Sequence, residues 1–353
     1  MSLLRLHHAL PCCLLLAALQ PFNPSAFSSP GPAGRWSEER ANAWYASQPW
    51  PVGVNYVAAY ALNQIDMWQA SSFDPQTMDR EMSLVEGLGM NTVRVFLHDL
   101  VWQADPAGFK QRISQFFDIC EKHHIKVIMT FFTNGGGAKQ PPVATMGKQP
   151  AFWHQNPKAE VVNDPSKWEP LERYVRDIMT AFKDDKRILM WCLYNEPQNP
   201  NRGADGVGLL RAVFQWARSV NPSQPLTSPI WGIPGKNSYW DIVSFLGENC
   251  DVITFHDYKK PSETKAFIKI LKDFNRPVIC QEYMWRPIST FEEIMPILKG
   301  ENIGAISWGL TRSIGARDRP EPKIWQHNLY RFDETPYSEQ EIQFIKKMTG
   351  KIK

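Results

Sequence analysis

The sequence predicts an α/β protein built as a closed (β/α)8 barrel, a TIM barrel. Three observations carry that prediction. From Pro51 onward, short β-branched and almost wholly apolar runs alternate with longer amphipathic segments, the pattern of parallel strands buried on both faces. Eight such runs occur, each followed by a helical pattern, which is the strand count of the closed barrel. The first run lacks the Gly-rich turn expected of an open doubly wound sheet, the other architecture this alternation allows.

The strand runs are 51–56, 91–97, 125–132, 187–195, 225–230, 251–258, 277–283 and 303–309. Helical patterns occupy 75–88, 106–123, 166–183, 205–220, 238–247, 261–274, 290–299 and 338–348. Several announce their starts. Asp74-Pro75 offers a side-chain acceptor for the first free N–H groups and a proline whose φ already suits a helix. Asp105-Pro106, Asp164-Pro165 and the stretch from Tyr258 to Pro261 repeat the device, and Ser338 with Glu341 has the spacing of a capping box.

The barrel is expected over residues 51–350 as one domain, since α/β barrels of this length are single units. Ahead of it, residues 27–50 read as a Pro- and Ser-rich lead-in that becomes Trp-rich (Trp36, Trp44, Trp50). Residues 1–26 read as a signal peptide: Arg5, His7 and His8 precede an apolar run from Ala9 to Leu19, then small residues near Ser25 and Ala26. That run is too short to span a bilayer, so the expected location is secreted or periplasmic, with Cys12 and Cys13 leaving a lipid anchor open. The formal charge of +3 is spread without runs of like sign, which speaks against a nucleic-acid partner. No later run has the length of a membrane helix, and a monomer is the expected state. Cys120, Cys192, Cys250 and Cys280 show no CxxC spacing. A zinc site is not expected, and one disulfide among the four stays open.

In a barrel of this kind, chemistry sits at the carboxyl ends of the strands. The fourth run ends Asn195-Glu196-Pro197 and the seventh ends Gln281-Glu282-Tyr283, on opposite sides of the ring. Two carboxylates facing each other across a cavity are what glycoside hydrolysis requires: one gives a proton to the leaving oxygen, the other attacks the anomeric carbon or activates a water. A single such glutamate is as well explained by a buried ion pair. Two at equivalent strand ends are not. His256 and Tyr258 close the sixth run on one face, because strands have period two. Asn55 and Tyr56 close the first run as candidates to line the cleft, with Asn55 expected to bind substrate; His98 and Asp99 close the second, where His98 either binds substrate or caps the barrel. Trp68, Trp102, Trp153 and Trp231 fall in strand-to-helix loops, as platforms for flat apolar faces or as loop anchors. Gly135, Gly136 and Gly137 lack the Lys-Ser/Thr of a phosphate loop and read as a turn.

The segment Trp191-Cys-Leu-Tyr-Asn-Glu-Pro197 resembles the strand-four motif of clan A glycoside hydrolases, the cellulase-like family 5 barrels. Glu282 resembles their strand-seven nucleophile. Within that superfamily the chain is similar to bacterial proteins labelled 1,4-β-xylanase-like. That similarity is carried by Asn63-Gln-Ile-Asp-Met-Trp-Gln-Ala70, the run from Asn91 to Leu100, Thr254-Phe-His-Asp-Tyr258 and Ser307-Trp-Gly-Leu310, and covers residues 42–350. The resemblance implies a retaining glycosidase with Glu196 as acid/base and Glu282 as nucleophile. Arg94 would hold Glu282 ionised, Tyr258 would hydrogen-bond it, and His256 would orient the acid/base or touch substrate. Asn195 would bind the sugar 2-hydroxyl and Trp308 would floor the site. It implies an oligosaccharide or polysaccharide substrate (β-1,4-xylan, glucan or mannan) and neither cofactor nor metal. The loop after the eighth run, Gly309–Pro320, is shorter and more basic than in those relatives, and the loop after the third run is unlike theirs. The resemblance therefore carries the two glutamates but not the glycan. A silent carbohydrate-binding barrel and a transglycosylase are the alternatives. HxH on the first run and GxSxG, marks of metallohydrolases and serine hydrolases, are absent.

Overall fold

The computed structural model describes residues 33–134, 153–199, 204–232, 240–314 and 326–353. The expected signal peptide and the three glycines at 135–137 lie outside those residues. Nine parallel strands form one sheet: β1 (Val52–Asn55), β2 (Thr92–Phe96), β3 (Lys126–Thr133), β4 (Ile188–Asn195), β5 (Leu226–Thr227), β6 (Pro229–Trp231), β7 (Ile253–His256), β8 (Val278–Glu282) and β9 (Gly304–Trp308). Their order is β5-β4-β3-β2-β1-β9-β8-β7-β6. β5 and β6 are two pieces of the expected fifth strand, and the ring closes through them. The interruption is at Ser228, whose hydroxyl donates to the Tyr194 carbonyl at 2.7 Å. Pro229, which follows, has no N–H to continue a ladder. Each of the eight expected strands is therefore present, the fifth broken by its own proline.

Around the barrel run α2 (Pro75–Gly87), α4 (Pro106–Lys122), α6 (Glu169–Phe182), α7 (Gly206–Val220), α8 (Trp240–Asn249), α9 (Pro261–Lys272), α10 (Phe291–Gly300) and α11 (Glu339–Thr349). Asp74 accepts from the N–H groups of Gln76 and Thr77, and Asp105 from Gly108. Asp164 caps only a single 3₁₀ turn, Pro165–Lys167, so α6 starts three residues later than its pattern suggests. Lys260 has no acceptor to offer, and α9 begins on Pro261 alone. The Ser338 capping box is half made: its hydroxyl accepts from the Glu341 N–H, but the Glu341 carboxylate is drawn away to Arg286 in a buried ion pair.

Three short helices have no counterpart in the sequence patterns: α1 (Glu38–Ala46), α3 (Asp99–Ala104) and α5 (Ala159–Val162). α1 matters most. It lies in the expected lead-in and closes the amino-terminal end of the barrel. Trp44 and Tyr45 pack on Ile128, Leu189, Met190, Cys192, Val252, Ile279 and Ile306 inside the ring. Beside it, Asp251 is fully buried and fully bonded: Arg218 donates to both its oxygens at 2.8 Å, as do the N–H groups of Trp36 and Leu226. All four described cysteines are free and buried, so the disulfide left open by the sequence is not formed. No helix among the described residues is long and apolar enough to cross a membrane.

Candidate active site

The strands carry their polar residues to the other end. Two irregularities in the ladder aim them. Between β7 and β8, Phe255 pairs with Cys280 but His256 pairs with Glu282. A bulge on β8 thus brings Glu282, rather than Gln281, level with His256. Between β3 and β4 a similar slip after Val127 sets Thr133 opposite Asn195.

At the centre is Arg94, fully buried on β2. Its Nη1 donates to Glu282 Oε1 at 2.7 Å and to Asn55 Oδ1 at 2.9 Å; its Nη2 donates to Asn195 Oδ1 at 2.5 Å and lies 3.5 Å from Cys192 Sγ. A guanidinium has donors only, so it fixes which amide atoms of Asn55 and Asn195 face it. Tyr258 donates to the other Glu282 oxygen at 2.6 Å. Glu282 therefore takes one charged and one neutral donor, one on each oxygen. Burial, with the Glu282 charge beside it, raises the Tyr258 phenol far above its usual range, so it stays a donor.

Glu196 sits directly after β4 with φ +49°. A side-chain-bearing residue pays for that left-handed conformation, and Pro197 does not favour it either, since a proline biases the residue before it toward extended backbone. The Asn199 N–H donates to the Glu196 carbonyl at 2.9 Å, and the Asn134 amide donates to the Pro197 carbonyl at 2.9 Å. α7 starts so close that a Cβ on Gly206 would stand 2.9 Å from that same carbonyl oxygen. The Glu196 carboxyl meets His256 Nδ1 at 2.8 Å on one oxygen and the Asn199 amide at 2.8 Å on the other. Burial pushes it up to about 7, the Asn199 hydrogen bond and Arg94 opposing. Burial also pulls His256 down to about 3, against the pull of the Glu282 charge. A neutral His256 donates to Glu196 when its proton is on Nδ1 and accepts the Glu196 carboxyl proton when it is on Nε2.

One oxygen of Glu196, one of Glu282 and a His256 ring nitrogen all lie within 4.8 Å of one another. These are also donor types that a divalent cation takes. Arg94, 2.7 Å from Glu282, already supplies the counter-charge there, and a cation would be set against it.

The other expected site residues divide. Trp308, half-buried at the end of β9, packs edge-on against Phe96 (5.8 Å) and Trp153 (5.5 Å), making one aromatic wall. Trp231 is in register with His256. Asn195 turns its carbonyl to Arg94 and an N–H to Thr133 Oγ1 at 3.1 Å, so its first task is to hold Arg94. Asn55 is a correction: both amide hydrogens go to the carbonyls of Gln281 and Ser307 (2.7 and 3.0 Å) while its oxygen takes Arg94. It braces the arginine and has no hydrogen left for a sugar. Of the two roles open to His98, the structure forms the capping contact: its Nδ1 accepts from the Leu100 N–H and caps α3. Tyr56 points outward to Glu81, at 2.8 Å. Trp68 is fully buried among Phe73, Phe109 and Phe116, and Trp102 bonds Asp177 on α6. Both are anchors.

Asn199, Trp285 and His327 escape sequence reasoning. Asn199 touches Glu196 across one turn of loop, a contact no residue pattern marks. Trp285 and His327 meet only because the chain after β8 and the chain after β9 converge. A further buried carboxyl, Glu81, is also raised to about 7 by burial, but its partners are Tyr56, the Ala59 N–H and Thr311.

The fold is that of family 5 glycoside hydrolase structures. An exo-β-1,4-mannosidase from Opitutaceae bacterium strain TAV5 superposes with a TM-score of 0.63 at 18% identity, covering 91% of this chain and 61% of its own. A GH5_18 protein from Streptomyces cattleya, solved with GlcNAc, gives 0.60 at 15% identity over 85% and 79%. The β-mannanase of the blue mussel Mytilus edulis gives 0.58 at 12% over 85% and 92%. Among curated proteins, a mannan endo-1,4-β-mannosidase F from Aspergillus clavatus is 24% identical over 147 residues, 40% of this chain and 32% of that protein. The chain thus spans about a third of the curated relative and under two thirds of the first structure. No family model matches the sequence. Three of these four are named as mannosidases or mannanases, and the expected closeness to xylanase-like proteins is not shown by them.

Proposed function

We propose that the protein is a retaining glycoside hydrolase acting on β-1,4-linked mannan or manno-oligosaccharides, with Glu196 as acid/base and Glu282 as nucleophile. The observation that carries the proposal is the contrast between two carboxyls whose nearest oxygens are within 4.8 Å. One is bonded to Arg94 and Tyr258 as a carboxylate; the other is pushed up to about 7 by burial. Two carboxyls in adjacent but opposite environments are an acid and a nucleophile in the making. Their closeness favours retention, because an inverting pair stands about 6.5–9.5 Å apart to admit a water.

In the first step Glu282 attacks the anomeric carbon and the bond to the leaving oxygen breaks. That oxygen takes the Glu196 proton, leaving a glycosyl ester on Glu282. In the second step the Glu196 carboxylate takes a proton from water, whose oxygen attacks the anomeric carbon and releases Glu282. Neutral His256 holds Glu196 in place without supplying a second charge. Arg94 and Tyr258 aim Glu282, and Trp308 offers the apolar face beneath the ring. Mannan is favoured over xylan and glucan by the activities named for the structural and curated relatives.

The test is intact mass after incubation with 2-deoxy-2-fluoro-β-mannosyl, glucosyl and xylosyl fluorides. The expected result is a stable adduct from the mannosyl reagent on the wild type and none on Glu282→Gln. An adduct from another sugar only would move the substrate. Glycan binding with no adduct from any reagent would favour the silent barrel.

A further inference from the structure

We propose that Trp285 is the platform of a second pyranose subsite, beside the ring whose linkage is cut. This rests on the glycosidase reading above and deepens it. Trp285 lies three residues beyond Glu282 and is 41% exposed; Ile288 in the same turn is 42% exposed. A single exposed tryptophan is unremarkable on a protein surface. This one is held rigidly. Its N–H donates to the Ser289 carbonyl at 2.8 Å, its carbonyl accepts from Ile288 and Ser289, and the Arg286 N–H donates to Gln326. The Arg286 side chain is tied to Glu341 in the buried ion pair that breaks the capping box of α11.

The residue before it is also unusual. Met284 is buried with φ +84°, a backbone state that a side chain of this size adopts at a cost and that collects at functional sites. His327 Nδ1 holds the Met284 carbonyl at 2.9 Å. The backbone on both sides of Trp285 is thus fixed by hydrogen bonds and by a buried ion pair.

The direction is toward the catalytic pair. The Trp285 ring meets the Tyr258 ring edge-on at 6.1 Å, and the Tyr258 hydroxyl is 2.6 Å from Glu282. One aromatic ring separates the exposed indole from the nucleophile. His327 closes the other side, 6.1 Å from Trp285 and 5.8 Å from Tyr258. A pyranose offers an apolar face of C–H bonds, and an indole already fixed in position loses little entropy on stacking against it. A neighbouring sugar of a β-1,4-linked chain is the ligand of that description that reaches both places at once.

The experiment is calorimetric titration of mannotriose and of mannose into Glu282→Gln, alone and combined with Trp285→Ala or Trp285→Phe. Trp285→Ala should weaken mannotriose about tenfold, leave mannose unchanged, and be largely rescued by Trp285→Phe. Equal mannotriose affinity with and without Trp285, at unchanged Tm, would overturn the subsite and leave the glycosidase reading standing. If Glu282→Gln bound neither mannotriose, cellotriose nor xylotriose, the glycosidase reading itself would fall and the subsite with it.

Discussion

Asp251 and Glu196 are both buried carboxyls on the same barrel, at opposite ends, and they are treated in opposite ways. Asp251 receives four donors, two from Arg218 and two from backbone N–H groups, each at 2.8 Å. Its surroundings are complete, and the cost of burying its charge is met on the spot. Glu196 receives only His256 and Asn199, sits on a left-handed backbone, and is pushed up to about 7. One end of the barrel is closed by α1 and saturated; the other leaves a carboxyl between its two protonation states.

Replacing each carboxyl separates the two roles. Glu196→Gln should lower kcat/KM roughly 10²–10⁴-fold on mannan oligomers. The same variant should gain stability relative to wild type with rising pH. The folded protein holds the Glu196 proton up to about 7 whereas the unfolded chain releases it near 4.5, so wild-type stability falls across that window and Gln does not titrate. Because Glu81 titrates in both proteins, the difference between their urea-unfolding free energies isolates Glu196. A difference independent of pH from 4.5 to 7 would contradict the raised value.

Asp251→Ala should do the reverse. Leaving Arg218 unpaired should cost about 3–5 kcal/mol of stability, read by urea unfolding, while the folded fraction keeps its kcat and pH profile. A displaced pH profile would show that the two ends are coupled.

The smallest effect is expected at Asn199. Its amide favours the ionised form of Glu196, so Asn199→Leu should move the alkaline limb of kcat/KM to higher pH with a modest loss of rate. Loss of rate with an unmoved limb would mean that Asn199 shapes the loop and does not tune the acid.

The two ends also differ in how far they could be read in advance. At the catalytic end, Glu196, Glu282, His256 and Tyr258 stand out because polar residues at the ends of apolar strands face the mouth of the barrel, whereas Arg94, Asn195 and Trp308 were marked only by the family resemblance. At the closed end the residues of α1 gave no comparable signal. Its helix has only two buried residues, Ala41 and Tyr45, too few for an amphipathic stripe, and it is ordered by the ring it covers. The positions at the mouth were legible, but the assignments of Asn55 and His98 were not. Whether an amide faces a cavity or braces an arginine depends on neighbours 39 residues away in the chain.

By itself, the sequence determined the (β/α) alternation, the eight strands, most helix starts, and which strand ends bear carboxyls. These follow from local periodicity and from single residues such as Pro75 and Asp105, whose effects act within a turn. Only the tertiary structure decided the bulge that brings Glu282 level with His256, the bracing of Arg94 by Asn55, and the seating of Trp285 beside Tyr258. Each depends on the register between strands or the meeting of two loops, where hydrogen bonds and packing join residues that no short stretch of sequence contains.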